Sequence, residues 1–365
     1  MPAVRPNYAF ASDNTAGVCP EALAALTAAN AGRAPSYGDD RATSRAKRLF
    51  HDLFERKCDV FFVFNGTAAN ALVLAALCQR HHAILCHAMS HVDNDECGAP
   101  EFFTGGSKVL TISSPLAKLR PADLEPALAR GHGVHFQKIR AVSLTQATEL
   151  GTVYTPDELR ALTGWAHRRG LAVHVDGARF ANAVASPRVR GCSPADLTWR
   201  AGVDALSFGG TKNGLLTTEA VVFFDPELAR EFDYRVKQSG QLASKMRFAG
   251  AQWAAVLRDG AWLRHGAHAN AMARKLAAGL RRLGYTLLAP VDANGVFVEV
   301  LPAVARALAR RGWYFHRFIG AHGYRFMCSW DTRDEDIAAL LADANAAVRS
   351  WRGRRRRLAP PIARD

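Results

Sequence analysis

Short apolar runs alternate along this chain with longer stretches whose apolar positions recur at helical spacing, a rhythm that sets in after residue 58. The runs Val60–Phe64, Ala83–Cys86, Lys108–Ile112, Ile139–Thr145, Ala172–Asp176, Ala205–Phe208 and Ala220–Phe224 predict strands. Around them, Glu21–Ala31, Arg41–Phe54, Thr67–Arg80, Pro121–Ala129 and Pro156–Arg168 predict helices. Strands apolar on both faces and separated by helices imply an α/β fold with a mainly parallel sheet flanked by helices. Ligands of such sheets bind beyond the carboxyl ends of the strands, where Asn65, His91, Asp176 and Lys212 fall.

Near Gly260 the rhythm changes. A long Ala/Arg/Leu helix, Trp262–Leu283, leads to short strands at Tyr285–Leu288 and Val296–Val300, a helix at Ala303–Arg311, a strand at Tyr324–Ser329 and a helix at Glu335–Arg349. The pattern divides the chain into an N-terminal segment with a large domain (1–258), a smaller C-terminal α/β domain (259–350) and an unstructured basic tail (351–365).

Composition narrows the class. With 49% hydrophobic and 22% charged residues, the chain reads as a soluble globular protein. Its start, Met1 to Asn7, is too polar and proline-broken for a secretory signal. The longest apolar tract, Cys58 to Cys78, is interrupted by Asn65, Gly66, Thr67 and Asn70 and does not read as a membrane span. Seven cysteines with no Cys-x-x-Cys pair fit a reducing cytoplasm. The net charge of +14 owes much to Arg349, Arg352, Arg354, Arg355, Arg356 and Arg357. Such a run could meet nucleic acid or an anionic surface, but no aromatic-interleaved basic motif or helix-turn-helix pattern accompanies it, so nucleic acid is not the expected partner.

Two residues carry the most chemistry. Asp176 ends an apolar strand and is followed by Gly177; Lys212 follows another strand within a turn bounded by Gly209, Gly210 and Gly214. Singly, each is equally well explained as a turn residue. Together they supply what a pyridoxal phosphate enzyme needs, an amine to form a Schiff base and an acid to keep the pyridine nitrogen protonated. Asn65-Gly66-Thr67 follows a strand and opens a helix, so it offers either free N–H groups for a phosphate or a plain junction capped by Thr67. The stretch His87–Glu101 is dense in ligand-type residues. A metal site is weakened there by the want of a third histidine at a supporting distance. A flat His91 ring stacked on a flat cofactor, with Glu96 nearby to polarise water or a hydroxyl, fits better, and a polar loop is the plain alternative.

In combination these segments resemble the threonine aldolases, in the β-eliminating lyase group of fold-type I pyridoxal phosphate enzymes, and most closely the low-specificity L-threonine aldolase branch. The resemblance runs in unbroken order from Phe10–Gly17 through Tyr37–Asp40, the Asn65 turn, His91–Glu101, Thr145–Thr152, Asp176–Arg179, Thr211–Gly214 and Ser244–Phe248 to Arg325–Thr332. It implies a fold-type I transferase-like architecture and pyridoxal 5'-phosphate as cofactor. It also implies retro-aldol cleavage of threonine, allo-threonine and related β-hydroxy-α-amino acids, including phenylserine, to glycine and an aldehyde. By the same resemblance Lys212 is the Schiff-base lysine, Asp176 the pyridine-nitrogen partner and His91 the stacking ring and candidate base, while Gly66 and Thr67 hold the phosphate. Arg179 is assigned to the cofactor's phenolic oxygen or the substrate carboxylate, and Ser12 and Arg325 to that carboxylate. Lys237 and Arg247 are placed toward a neighbouring subunit's phosphate, in a homo-oligomer expected to be a dimer of dimers.

One departure stands out. Many threonine aldolases carry a second active-site histidine in the segment matching Thr145–Gly151, where this chain has Gln146, Ala147 and Thr148. The base then falls to His91 or to water held by Glu96. Another lyase or a racemase on the same fold is the nearest rival reading. A basic binding protein on a degenerate scaffold is the more distant one, marked by salt-dependent nucleic-acid binding through the arginine-rich end.

Overall fold

The computed structural model describes residues 5–131 and 133–358, with side chains through Ser350. Seven strands form the main sheet: β1 (Asp59–Val63), β2 (His82–His87), β3 (Lys108–Ile112), β4 (Lys138–Thr145), β5 (Ala172–Gly177), β6 (Ala205–Phe208) and β7 (Glu219–Phe223), in the order β1-β7-β6-β5-β4-β2-β3. All the expected strands of the first half are present. Four of the six pairings are parallel, and β7 runs antiparallel to both of its neighbours. The cause is the link from β6 to β7, residues 209–218, which is shorter than the roughly dozen residues a parallel crossover needs.

Burial of both faces explains the apolar runs. Every residue of β2, β5, β6 and β7 is buried. One face rests on an aromatic cluster in which Phe208 lies 5.2 Å from Trp253 and 5.1 Å from Phe180 between ring centroids. Helices Arg41–Leu53 and Arg247–Arg258 pack over this cluster. They approach so closely at Gly250 that a Cβ there would sit 2.5 Å from the Thr43 Cα.

A small polar cluster lies in the middle of the sheet. His174 of β5 is fully buried, with Nδ1 3.0 Å from the Ser143 Oγ on β4 and Nε2 3.0 Å from the Ser207 Oγ on β6. Burial pushes its pKa down from 6.5 to about 4. The unfolded chain therefore takes up this proton first as pH falls: the contribution is complete above about pH 6.5 and is lost by about pH 4. The shift corresponds to about 3 kcal/mol in all. Urea midpoints at pH 7.5 and pH 5 should therefore diverge more for the parent protein than for a His174→Asn variant.

A second core lies around a three-stranded antiparallel sheet, β8 (Gly295–Glu299), β9 (His316–Ile319) and β10 (Gly323–Met327), in the order β8-β10-β9. Leu276 and Leu280 of helix Ala261–Arg282, Val304 and Leu308 of helix Pro302–Arg310 and Leu340 of the last helix cover it. The expected strand Tyr285–Leu288 is reduced to one bridge, Leu287 to Val298, and β9 had no apolar signature because its first two residues are exposed. The N-terminal segment joins this second core: Phe10 is buried in it and accepts a hydrogen bond from the Met327 N–H at 3.0 Å. The last helix runs from Asp334 to Leu358, so the start of the expected basic tail is helical, as arginine's good helix propensity allows. Residues 359–365 lie outside the described residues. Among the described residues, no helix is long and apolar enough to cross a membrane.

Candidate active site

The carboxyl ends of β4, β5 and β6 open on one cavity lined by Gly66, Asn70, His91, Asp176, Arg179 and Lys212, together with Thr145, Ala147, Glu149 and Ala178. The turns carrying Asp176 and Lys212 touch through backbone. The Gly209 N–H donates to the Gly177 carbonyl at 2.9 Å, and a Cβ on Gly209 would lie 2.2 Å from the Ala178 oxygen. Only glycine permits that approach. The Lys212 turn, Thr211–Asn213, is fixed from behind by Asn213 Nδ2 donating to the Trp262 carbonyl at 2.8 Å and by the Cys19 N–H donating to the Gly214 carbonyl at 2.8 Å. Glu219, pushed up to about 7 by burial, accepts from the Gly210 N–H beneath it.

Asp176 is buried and oriented. Its Oδ1 accepts from the Ala178 N–H at 2.9 Å and its Oδ2 from Asn70 Nδ2 at 3.0 Å. The same Asn70 amide reaches Glu96 Oε1 at 2.8 Å, and that oxygen also receives His91 Nδ1 at 2.9 Å. Sequence reading passed over Asn70, although a lone amide inside the apolar helix Gly66–Leu77 was a usable signal. It also placed Glu96 at a water or hydroxyl, and the structure corrects this. The Glu96 side chain is 0% exposed and does not line the cavity, one of its oxygens being taken by Asn70 and His91. The Glu96 hydrogen bond raises the His91 pKa, and burial pushes the Glu96 carboxyl up.

Phosphate-type donors lie at the start of helix Gly66–Leu77. Its cap is Asn65, whose Oδ1 accepts from the Ala68 N–H at 2.9 Å, so Thr67 is not the cap and its hydroxyl has no partner among the described residues. His87, the other histidine of the dense stretch, is engaged by the backbone of Met89 and Ser114 at 3.0 Å each. The one grouping of metal-ligand types among the described residues is Cys19, Glu21 and His265, beside Gly214. Burial pushes the Cys19 thiol up to about 11, keeping it protonated.

Opposite the cofactor-type residues lie two guanidinium groups. Arg179 donates through Nε and Nη2 to both oxygens of Asp13, at 2.7 and 2.9 Å. Asn294 Nδ2 donates to Asp13 at 3.0 Å. Burial alone would raise the Asp13 carboxyl, but Arg179 and Lys212 outweigh it and hold the pKa at about 2. Asp13 lies within the Phe10–Gly17 segment and was not singled out there, although it holds Arg179 at the cavity. Arg325 extends from β10 over the Phe318 ring at 4.7 Å, and its buried Nε has no partner. Burial and then the nearby charge of Arg179 press its pKa down, as expected where two cations await an anion. Ser12 caps the turn Asp13–Thr15, its Oγ accepting from the Asn14 N–H at 3.2 Å. Lys237 and Arg247 do not line this cavity. Lys237 sits over the Tyr37 ring at 4.9 Å and Arg247 over Phe248 at 5.2 Å with its Nε buried and unpartnered.

Comparison with known proteins fits this geometry. The beta-eliminating lyase family matches residues 9–302. A low specificity L-threonine aldolase of Pseudomonas sp. (strain NCIMB 10558) is 52% identical over 340 residues, 93% of this chain and 97% of that protein. One from Pseudomonas aeruginosa is 54% identical over 335 residues, 92% and 96% of the two chains. Among solved structures, a threonine aldolase of Leishmania major superposes with a TM-score of 0.89 at 29% identity, covering 94% of this chain and 100% of that one. Sphingomonas wittichii serine palmitoyltransferase, at 18% identity and a TM-score of 0.72 over 93% and 87% of the chains, shares the fold alone. The fold is that of the fold-type I pyridoxal phosphate enzymes, and the chain belongs to the β-eliminating lyase family, together with the low specificity L-threonine aldolases.

Proposed function

We propose that this protein is a pyridoxal 5'-phosphate-dependent aldehyde-lyase that cleaves threonine, allo-threonine and related β-hydroxy-α-amino acids such as phenylserine to glycine and an aldehyde. The observation that carries the reading is the convergence of Lys212, Asp176, His91 and Arg179 on one cavity, with Arg325 near enough to Arg179 to feel its charge. The residues fit the cofactor: a buried carboxylate held by Asn70, an amine on a rigid turn, and open donors at a helix N-terminus. When bound, the cofactor supplies an electron sink conjugated to the substrate Cα.

Each side chain then has one task. Lys212 would hold the cofactor through its amine, and Asp176 would keep the bound ring positively charged. Gly66 and Thr67 bind the phosphate, and His91, fixed by Glu96, covers the ring face. Arg325, with Ser12 and the free edge of Arg179, grips the substrate carboxylate and so orients the Cα–Cβ bond. Lys237 is exposed and Arg247 carries a buried, unpartnered Nε, which supports their reaching a second subunit's phosphate in a homo-oligomer, a dimer of dimers. The cysteine content supports a cytoplasmic setting.

Incubation of the purified protein with threonine, allo-threonine, phenylserine, serine and alanine, followed by assay of glycine and aldehyde, tests the reading. Glycine and a matching aldehyde from the first three are expected. Racemised alanine with no aldehyde from any substrate would instead favour a racemase on the same fold.

A further inference from the structure

Resting on the function proposed above, we infer that Glu149 takes the proton from the substrate's β-hydroxyl as the Cα–Cβ bond breaks. Glu149 lines the same cavity as Lys212 and His91. It sits on a tight turn closed by the Gly151 N–H donating to the Thr148 carbonyl at 2.8 Å and the Thr148 N–H donating to the Thr152 carbonyl at 2.9 Å. Its loop neighbours are committed elsewhere. Gln146 exchanges two 2.9 Å hydrogen bonds with the Tyr154 backbone, the Thr148 hydroxyl pairs with Thr152 at 2.7 Å, and Leu150 packs with Ala289 and Phe297. Of the polar side chains between Gln146 and Gly151, Glu149 alone lines the cavity, and its carboxylate accepts no hydrogen bond from a described residue.

The surroundings suit the task. Arg179, Asp176, Lys212, His91 and Arg325 are the charged or titratable groups that face it. Burial pushes its carboxyl up from the ordinary value, the direction that suits a base working near neutrality. His91 has its Nδ1 committed to Glu96 and, in the role proposed above, its ring committed to the cofactor, whereas Glu149 has neither commitment. In the step, the O–H bonding pair becomes the second bond of the carbonyl as Glu149 receives the proton. The Cα–Cβ pair would be taken by the electron sink the cofactor supplies and would end at Cα with an added proton, giving glycine and aldehyde.

The test uses cofactor-loaded Glu149→Gln and Glu149→Asp with three readouts. Threonine kcat should fall by about 10²- to 10⁴-fold in Glu149→Gln, with the acid limb of its pH profile lost, and Glu149→Asp should recover part of both. Exchange of the glycine α-hydrogen in D2O, which involves no β-hydroxyl, should stay within a few-fold of the parent. Glycine affinity, read from the cofactor absorbance, and the melting temperature of cofactor-free protein should change little. Undiminished threonine cleavage by Glu149→Gln overturns the assignment, and so does an equal loss of glycine exchange, which would mark a role in binding or folding. A parent protein that exchanges glycine but cleaves no β-hydroxy amino acid overturns the proposed function itself.

Discussion

Lys212→Ala should produce a folded protein with no visible cofactor band and with threonine cleavage reduced by on the order of a thousandfold or more, as when other enzymes lose a covalent nucleophile. The fold should survive. Lys212 makes no hydrogen bond or ion pair with a described residue, and its turn is held by Asn213, Cys19 and Glu219 rather than by its own side chain. An absorbance spectrum with a single-turnover assay checks both halves. Retention of the band together with full activity would remove the amine from the chemistry.

Asp13→Asn should have the second largest effect, this time on stability. The Asp13–Arg179 pair is almost fully enclosed, with side chains 1% and 13% exposed. Removing one partner of such a pair costs about 3–5 kcal/mol, because the other charge stays buried without compensation. The loss should be visible as a lower urea midpoint, and a carboxylate ligand should restore part of it, since the variant removes the carboxylate that pairs directly with Arg179. Threonine KM should rise as the arginine loses its fixed orientation. A variant as stable as the parent, with unchanged KM, would show that the ion pair does not set the position of Arg179.

The parts of the fold legible in sequence were those buried on both faces. The strands carrying Asp176 and Lys212 read as apolar runs because β5 and β6 are wholly enclosed, and their turns read as glycine-rich because main chains meet there. β9 was invisible for the opposite reason, having a partly exposed, polar sequence. Within the site, the residues found were those whose chemistry is named by type and strand-end context. Asn70, Asp13 and Glu149 were not singled out because their importance lies in direction. Asn70 lies in an apolar helix, Asp13 acts across 166 positions of chain on Arg179, and Glu149 differs from Gln146 and Thr148 only in facing the cavity. Spacing along a loop does not say which side chain turns inward. The same blindness put Glu96 beside a substrate when its side chain does not line the cavity.

Gly209 has a consequence for how such a site can diversify. Because bare main chain joins the two turns, the span from acid to amine is set by peptide geometry and leaves no side chain there to vary. Arg325, proposed above to grip the substrate carboxylate, is mounted on a separate small sheet with its own hydrophobic interior. New aldehyde preferences should therefore arise from residues away from this main-chain contact, while the reactive half stays constant.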